Sequence, residues 1–528
     1  MYKNKIAESP AMIPFSAPLD DMFFCLHEVA DAAALPGWDA ELARDVATGF
    51  ADFAQSEIAP TNAPGDRQGC RLENGRVRMS DGFREVYQQL ADMGWQGLTA
   101  PEPHGGMGQG ALVAALVSEI FSGANHALQM VCNLVPGAIS TLLRHGSPAQ
   151  QAEWIPRLAQ GQALSTMCLT EAGAGSDLSR IRTRATPQSQ GWRISGEKIF
   201  ISGGDQDLTD EILHLVLART GPISSGIKGL SLFLCSRNKA GSALRVTRIE
   251  EKLGLHASPT CQMVFDDAPA ELVGIEGGGL AAMFTLMNHA RLDVALQGVA
   301  HATRAHAIAA AYAGDRQQGR RPDGSDALLQ DHPDVRCMLD EQRALSVGAR
   351  AMVHVALVEE ARGAPPALLD FLTPVCKVFC TEAGIRASDL GIQILGGYGY
   401  LTEYQVSQTW RDARITAIYE GANGIHALAT ATRSLKAEGG AGADAFDRLI
   451  GQLTGDPRVL ARRDLWRRAR ADLESNQSAP DFAHDFMALT ANLLYRAIWA
   501  RIAALDCADN LKALAQTILS DGPDWARR

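Results

Sequence analysis

The sequence predicts an α+β protein of several domains: an N-terminal helical domain, a small central β-barrel or β-sandwich, a C-terminal four-helix bundle and an additional helical tail. A chain of 528 residues is too long for one hydrophobic core, and its length alone corresponds to about three or four domains. Hydrophobic spacing is helical at first, alternates from Ser165 to residue 275, and is helical again afterwards. This order excludes a βαβ array, which alternates strands and helices along its whole length.

Helical spacing characterises residues 1–164 and becomes clear from Pro18 onwards. Residues 39–59 and 81–95 repeat apolar side chains every three or four positions, and each segment begins with an aspartate suited to an N-cap. Between these segments, the polar and glycine-bearing string GDRQGCRLENGRV predicts a loop. We therefore expect residues 1–164 to form a helical domain.

Short runs rich in β-branched and other apolar residues fill residues 165–275, which predicts a β domain. The runs are TMCLT, GWRISG, KIFISGG, ILHLVLAR, GLSLFLCS, LRVTRIE and CQMVFDDA. Among them lies GAGS at residues 173–176, and a dinucleotide-binding loop would need a helix to follow it. The strand-like stretch IRTRATP follows instead, so we expect no Rossmann turn here, and a purely structural β-turn stays open.

Long amphipathic helices are predicted for residues 276–435, where they would pack as a four-helix bundle. The glycine-rich string AEGGAGAD follows and predicts a flexible linker. Residues 436–528 form the helical tail, in which the segment RVLARRDLWRRARADL carries six arginines. A solvated face, a contact to another subunit and nucleic-acid binding would each explain this basic helix.

Composition and motifs exclude several classes of function. The net charge of −11 argues against broad nucleic-acid binding, which needs a basic face. Ten cysteines without a CxxC pair indicate reduced thiols, no metal site and a cytoplasmic protein. No HExxH, P-loop or GxSxG string occurs. The N-terminus lacks a continuous apolar core and no run of 18 apolar residues occurs, so we expect neither a signal peptide nor a membrane span.

The stretch ITAIYEGANGIHALAT, residues 415–430, carries the strongest candidate for chemistry. It places one carboxylate, Glu420, between an apolar run and Gly421, which indicates a partly buried side chain beside a position that a ligand can approach closely. A carboxylate in this setting is a candidate base with a tuned pKa. A helix end with an acid in its first turn is the structural alternative.

Five strings occur in the order found in a known family. They are MCLTEAGAGSD (residues 167–177), KIFISGG (198–204), EKLGLHASPT (251–260), QILGGYGY (393–400) and YEGANGI (419–425). Together they resemble the acyl-CoA dehydrogenase family over residues 20 to 435. The strings APLDDMFFCLHEVAD and GGDQDLTDEILHLVLAR are similar to the subgroup with extra C-terminal helices that includes 3-methylthiopropionyl-CoA dehydrogenases.

The resemblance implies FAD as the cofactor and assigns residues to it. The implied cofactor-binding residues are Met167, Cys168, Leu169, Thr170, Ser176, Phe200, Ile201, Ser202, Arg316, Gln393, Gly396, Gly397 and Asn423. Arg316 matches an arginine that reaches the FAD pyrophosphate, often in a neighbouring subunit, and a charged guanidinium fork suits a diphosphate. The chain departs from many relatives at Phe200, where they carry Trp, and at Ala422, where they carry Thr that touches the flavin.

The resemblance also implies the reaction, which is α,β-dehydrogenation of an acyl-CoA thioester to the trans-2-enoyl-CoA. Glu420 would abstract the α-proton while the flavin N5 accepts the β-hydride, which no amino-acid side chain can accept. The implied substrate-binding residues are Ser176, Asn288, Arg291 and Gly421. The backbone N–H of Glu420 and a flavin ribityl hydroxyl would stabilise the charge on the thioester oxygen. Electron-transferring flavoprotein is the implied electron acceptor, and the implied assembly is a homodimer or homotetramer.

Two other functions stay open on the sequence. An acyl-CoA oxidase or flavin monooxygenase on the same fold would use oxygen in place of a protein acceptor. A flavin-containing nucleic-acid-binding member would use the arginine-rich helix of the tail.

Overall fold

The computed structural model of the chain describes residues 13–189, 191–475 and 479–520, apart from the side chains of residues 288 and 289. It confirms the predicted order of a helical region, a β domain, a second helical region and a helical tail. The N-terminal helices are α1 Leu19–Phe23, α2 Ala40–Phe53, α3 Ala59–Gln68, α4 Phe83–Asp92, α5 Ala111–Cys132, α6 Leu134–His145 and α7 Pro148–Ala159.

Side-chain caps set the starts of two N-terminal helices. Asp39 accepts a hydrogen bond from the backbone N–H of Leu42 at the start of α2. Ser147 and Gln150 form a capping box at the start of α7. The predicted loop between α2 and α4 is instead the end of α3 followed by a hairpin, β1 Arg71–Glu73 and β2 Arg76–Arg78. The hairpin closes at Asn74-Gly75, where both φ angles are positive, as in a two-residue turn.

Helix α5 is long and apolar enough to span a bilayer, the only such helix within residues 13–189, 191–475 and 479–520. The most apolar 18-residue window of α5 is 78% buried inside the protein. A helix in the core of a domain is buried to this extent, and it can be as long and as apolar as a membrane-spanning helix.

The β domain is a closed seven-stranded sheet. Its strands are β3 Ala163–Cys168, β4 Arg184–Pro187, β5 Trp192–Ser202, β6 Glu211–Arg219, β7 Leu230–Ser236, β8 Leu244–Ile249 and β9 Thr260–Val273, with the short helix α8 Arg237–Ala240 after β7. Pairing runs β3-β6-β4-β5-β9-β7, and a further antiparallel pairing of β6 with β7 closes the ring, while β8 pairs with β9. The closure confirms the predicted barrel and leaves β6 and β7 buried along their whole length, which explains their continuous apolar runs.

Three long helices form the core of the second helical region: α9 Gly279–Asp315, α10 Pro333–Ala361 and α11 Pro366–Leu395. They pack on one another, and the shorter α12 Val406–Ala413 and α13 Asn423–Ala429 pack against α11. A hairpin of β10 Gln317–Arg320 and β11 Asp326–Leu328 joins α9 to α10.

Glycines let α9 and α11 approach each other closely. A Cβ atom at Gly298 would lie 2.3 Å from the carbonyl oxygen of Cys380, and one at Gly384 would lie 2.6 Å from the carbonyl oxygen of Gly298. Any larger residue at either position would push the two helices apart, because a backbone atom cannot rotate away as a side chain can.

The tail consists of α14 Ala441–Leu453, α15 Pro457–Ser475, α16 Ala483–Ala504 and α17 Asp509–Leu519. The predicted flexible linker is a tight turn, with positive φ at Glu438, Gly439 and Gly440, that runs directly into α14. Helix α16 packs on α10, α11 and α13, and Trp466 and Trp499 are buried in this contact region.

The arginine-rich helix α15 forms ion pairs with acids of the tail. Arg463 and Arg467 both pair with Asp447, and Arg470 pairs with Asp444. The two arginines lower the pKa of Asp447 to about 2 against the opposing effect of burial. Much of the positive charge of α15 is therefore balanced within the tail.

Candidate active site

Glu420 lies in a sharp turn between the 3-10 turn Arg414–Ala417 and α13. Its φ is 53° and that of Gly421 is 95°, so two successive residues occupy the left-handed region. For a glutamate this conformation costs about 1–3 kcal/mol, which the surrounding packing has to offset. The turn directs the Glu420 side chain inward, where Oε2 is buried and has no hydrogen-bond partner among the described residues.

Burial raises the pKa of Glu420 to about 7, because a carboxylate loses hydration inside the protein. The positive charges of Arg291 and Lys377 oppose this rise, and the nearby Asp293 adds to it. A carboxyl group with a pKa near neutrality is matched to general-base chemistry at physiological pH.

Two side chains hold the main chain of this turn. Lys377 Nζ donates hydrogen bonds to the carbonyl oxygen of Gly421 and to Oδ1 of Asn423, both at 2.9 Å. His426 Nε2 lies 3.1 Å from the carbonyl oxygen of Glu420 and donates to it. Position 421 requires glycine, because a Cβ there would lie 2.6 Å from His426 Nε2 at a φ of 95°.

A cavity of about 750 Å³ opens beside the turn and is lined by Gly421, His426 and Arg291. Much of its wall is apolar and comes from α5, α6 and α9. The apolar lining includes Phe121, Leu134, Pro136, Ile139, Leu286 and Leu296. The volume is in the range of pockets that bind cofactors and drug-sized ligands.

Part of the cavity wall is a buried polar network around Asp293. The amides of Gln129, Asn133 and Gln297 donate to Asp293 Oδ2 at 3.0, 2.8 and 2.9 Å, and the Ser118 hydroxyl donates to Oδ1. Burial raises the pKa of Asp293, while these four hydrogen bonds lower it. Asn133 Oδ1 is buried without a hydrogen-bond partner among the described residues.

The network continues to the residue before the candidate base. The Tyr419 hydroxyl donates to Gln297 Oε1 and lies 3.3 Å from Nε2 of His126, which in turn bonds to His301 at 2.8 Å. Burial lowers the pKa of His301 to about 4, so both rings are neutral at pH 7. These contacts fix Tyr419 in the core and so anchor one side of the Glu420 turn.

The barrel brings together most of the residues predicted to hold the flavin. Met167 and Cys168 end β3, and Leu169 and Thr170 follow at the same edge. The end of β5 with Phe200, Ile201 and Ser202 lies alongside, since the N–H of Ile199 donates to the carbonyl oxygen of Thr170 at 2.9 Å. The side chains of Cys168 and Ile201 point into the barrel core. Only backbone atoms of these two residues are therefore placed to meet a ligand.

Phe200 has the backbone expected of a site residue rather than of a strand. Its φ is 59°, it sits where the pairing of β5 with β9 is irregular, and its side chain is 60% exposed. The exposed ring offers a flat apolar surface to a ligand. The left-handed backbone of Phe200 costs conformational energy, and such strained residues cluster at ligand-binding sites.

A buried ion pair supports the segment after β3. Lys198 Nζ donates to the carbonyl oxygen of Leu169 at 2.8 Å and to Glu171 Oε1 at 2.9 Å. Glu171 also accepts the backbone N–H groups of Arg182 and Thr183. Ser176 is exposed in the loop that follows.

A second cavity, of about 390 Å³, contains Arg316, Gly396 and Gly397. The guanidinium of Arg316 lies 5.6 Å from the centre of the Tyr398 ring, and added Cβ atoms at either glycine would meet nothing within 4 Å. Gln393 is exposed at the end of α11 and does not line this cavity.

Most of the predicted residues thus fall into three groups: the barrel edge, the Glu420 turn with the cavity beside it, and the cavity at Arg316. Asn423 lies beside the Glu420 turn, but its side-chain amide bonds to Lys377, Thr381 and Glu382 of α11. The side chain of Asn288 lies outside the described part of the structure.

Sequence reasoning missed Lys377, His426 and Asp293, which surround the candidate base. Lys377 carries a signal that was available, because it is a lone cation in the apolar run LTPVCKVFC of a long helix. His426 and Asp293 carry no such signal, since each sits in an ordinary helical pattern.

Profiles of three known domains match the chain in order. They are "Acyl-CoA dehydrogenase, N-terminal domain" at residues 41–162, "Acyl-CoA dehydrogenase, middle domain" at 166–268 and "Acyl-CoA dehydrogenase, C-terminal domain" at 277–435.

Among known proteins, the chain is 42% identical to 3-methylmercaptopropionyl-CoA dehydrogenase of Ruegeria pomeroyi over 84% of this chain and 80% of that protein. Butyryl-CoA dehydrogenase of Megasphaera elsdenii is similar in structure, with a TM-score of 0.67, 26% identity, and coverage of 76% of this chain and all of that one. An acyl-CoA dehydrogenase of Bacillus anthracis complexed with FAD has a TM-score of 0.75 over 94% of this chain and 88% of its own. At 22% identity the last shows the fold alone, tail region included.

The three matched domains and the close relative confirm the resemblance read from the sequence strings. The chain therefore belongs to the acyl-CoA dehydrogenase family and is an FAD-dependent oxidoreductase that dehydrogenates acyl-CoA thioesters.

Proposed function

We propose that Glu420 is the base that removes the α-proton of an acyl-CoA bound in the 750 Å³ cavity. The observation that carries the proposal is its buried Oε2, which has no hydrogen-bond partner among the described residues and belongs to a carboxyl whose pKa burial raises to about 7. An orphaned acceptor beside a ligand-sized cavity is costly unless a substrate meets it. Arg291 and Gly421 line the same cavity and are proposed to contact the substrate together with Ser176 and Asn288.

The residues at the barrel edge fit a flavin. We assign the ring to the face formed by residues 167–170 and 200–202, where Phe200 presents an exposed aromatic surface. The nucleotide half of FAD is assigned to the cavity of Arg316, because its two glycines leave backbone open to approach and its guanidinium suits a diphosphate. FAD, when bound, accepts the hydride from the β-carbon of the substrate. Gln393 and Asn423 are further proposed contacts of this cofactor.

The protein's own contribution to the reaction is water exclusion, orientation and proton removal. Apolar side chains of α5, α6 and α9 would keep water from the acyl chain once it is bound. The backbone N–H of Glu420 is the proposed donor to the thioester oxygen, on which negative charge develops as the α-proton leaves.

A short or sulfur-containing acyl group is the proposed substrate class. The relative at 42% identity is named for 3-methylmercaptopropionyl-CoA. The cavity wall also includes Asn133, whose buried Oδ1 has no hydrogen-bond partner among the described residues and would stay without one beside a long hydrocarbon chain.

Further proposals concern the electron acceptor, the oligomeric state and the cellular location of the enzyme. We propose electron-transferring flavoprotein as the acceptor, a homodimer or homotetramer as the assembly, and a cytoplasmic location in fatty acid or related acyl-CoA metabolism. All ten cysteines are free thiols, which agrees with a reducing compartment. The domain limits at residues 164, 275 and 435 stay predictions, and the changes between helices and strands near 160 and 275 support them.

Anaerobic titration tests the proposed function. The purified protein is expected to be yellow and to lose its flavin absorbance when mixed with short, medium, long or sulfur-containing acyl-CoA thioesters, most completely with the short and sulfur-containing ones. Failure of every thioester to bleach a fully loaded protein contradicts the proposal. Oxygen consumption as fast as turnover with an artificial electron acceptor would identify an oxidase instead.

The pH dependence of bleaching follows from the pKa of Glu420. The folded pKa lies near 7, raised from 4.5, so the carboxyl is ionised above pH 7 and protonated below it. The bleaching rate is therefore expected to fall as the pH drops through about 7, approaching a tenfold loss per pH unit. Stopped-flow measurement from pH 5 to 9 checks this, and a flat profile contradicts the assignment of the base.

A nucleic-acid role is disfavoured by the ion pairs of α15. Arg463, Arg467 and Arg470 all pair with acids of the tail. Salt-sensitive DNA binding that is lost on neutralising these arginines would instead support a nucleic-acid role.

A further inference from the structure

A lysine is buried in the middle of α11, directly behind the Glu420 turn. The side chain of Lys377 is 0% exposed. Lysine is almost never fully buried unless its charge is paired, so this burial requires an explanation. Its Nζ donates to Gly421 O and Asn423 Oδ1 at 2.9 Å each. Both acceptors belong to the segment that follows the candidate base, and neither is a carboxylate.

The two hydrogen bonds act on a strained piece of main chain. Glu420 and Gly421 both have positive φ, so the turn would relax if nothing held its carbonyl groups. Lys377 holds the carbonyl of Gly421, while His426 of α13 holds that of Glu420. Because α11 packs against both α9 and α10, the lysine ties the turn to the centre of the bundle.

Lys377 also contributes charge at the base. The groups that face Glu420 are Arg291 and Asp293 from α9, Lys377 from α11 and His426 from α13. His426 is neutral at pH 7, because burial lowers its pKa to about 4. Burial lowers the pKa of Lys377 to about 8, while Glu420 and Glu382 raise it and Arg291 lowers it. Lys377 therefore remains mostly charged at pH 7.

We propose that Lys377 is a positioning residue for the base: its ammonium group fixes the Glu420–Gly421 turn and supplies positive charge that keeps the buried Glu420 carboxyl ionised near neutral pH. The inference rests on the proposed function, since it takes Glu420 as the base. Lys377 acts through Glu420 and does not itself line the cavity.

Three substitutions separate the two effects. Lys377→Gln keeps a hydrogen-bond donor and removes the charge, Lys377→Met removes both, and Lys377→Arg keeps the charge. Lys252→Met is the matched control, because Lys252 is partly buried, donates to a main-chain carbonyl, that of Ser258, and does not line the cavity. The pKa of Glu420 is measured by infrared titration of its carboxyl band. For each protein, the spectrum of the same protein with Glu420→Gln added is subtracted, so that only the band of Glu420 remains. The pH profile of flavin bleaching is the second measurement.

The neutral variants are expected to raise the infrared midpoint of Glu420 by about one pH unit, as loss of a nearby opposite charge does. The kinetic midpoint should rise with it, and Lys377→Arg should lie closer to the wild-type value than Lys377→Met. Lys252→Met should leave both midpoints unchanged. If Lys377→Gln or Lys377→Met folds with an unmoved Glu420 midpoint, or if Lys377→Arg behaves like Lys377→Met, the positioning role is overturned.

The infrared readout keeps this test separate from the proposed function. A wild-type protein that no acyl-CoA bleaches would contradict the function, while the Glu420 titration would still decide the role of Lys377. A wild-type protein that bleaches normally, together with unmoved midpoints in the variants, would overturn the inference alone.

Discussion

Replacing Glu420 by glutamine is expected to slow anaerobic flavin bleaching by about a thousandfold while the protein stays yellow. Glutamine has nearly the same shape but cannot accept the α-proton, and a positioned general base contributes about 10²–10⁴ to rate. Cofactor content should not change, because the side chain of Glu420 bonds to no other described residue through its buried Oε2. Stopped-flow absorbance with the best thioester of the panel, and the ratio of flavin to protein, measure the two parts of this prediction.

A matched control for Glu420→Gln is Glu438→Gln. Glu438 also has a positive φ, of 49°, but is exposed at the start of the tail. Its replacement tests whether a change from glutamate to glutamine on a left-handed backbone by itself slows flavin bleaching. Bleaching in Glu438→Gln should continue at the wild-type rate. Retained turnover in Glu420→Gln would remove Glu420 from its assigned role and direct attention to Asp293, a carboxylate that lines the cavity.

Replacing Arg350 by methionine is expected to lower the free energy of unfolding by about 3–5 kcal/mol, the cost of leaving a buried charge without its partner. Arg350 of α10 is completely buried and binds Glu119 of α5 through two nitrogens, at 2.9 and 2.7 Å to Oε1. It also donates to Thr303 of α9 at 2.7 Å. The variant keeps an unbranched apolar stem but leaves the Glu119 carboxylate unpaired in the core, where the N-terminal helices meet the bundle. Urea unfolding followed by circular dichroism measures the loss.

Two further variants show whether the charge itself causes this loss. The double variant Glu119→Gln with Arg350→Met removes both charges and should recover part of the stability. Arg362→Met breaks the partly exposed pairs of Arg362 with Glu359 and Asp31 and should cost about 1 kcal/mol, since water screens both pairs. Equal losses in the Arg350 and Arg362 variants would contradict the argument from burial.

The fold was largely readable from periodicity. The change from helical to alternating spacing near Ser165 matches the start of β3 at Ala163, and IRTRATP contains β4. The two hairpins around residues 74 and 323 were missed, because strands of three or four residues leave too few positions for an alternating pattern. Likewise, AEGGAGAD has the composition of a linker, but its glycines serve a tight turn into a helix.

The site was partly readable, and the limit has a physical cause. Glu420 and Gly421 stand together in one string, so their apolar setting could be seen along the chain. Lys377 and Asp293 come from two other helices and meet Glu420 only in the folded bundle. His426 is close to Glu420 in the chain, but only the turn at Gly421 brings its ring to the carbonyl oxygen of Glu420. Side chains that converge from distant segments leave no mark in local spacing.

By itself, the sequence determined the order of domains, the family and the identity of the candidate base, because each depends on local patterns or on short strings. Only the tertiary structure decided that Oε2 of Glu420 is buried and that the pKa of its carboxyl is raised, which charges surround it and how Lys377 holds its turn. Burial and electrostatics depend on which segments pack together in space, and a carboxyl group acquires its pKa from those neighbours rather than from the residues beside it in the chain.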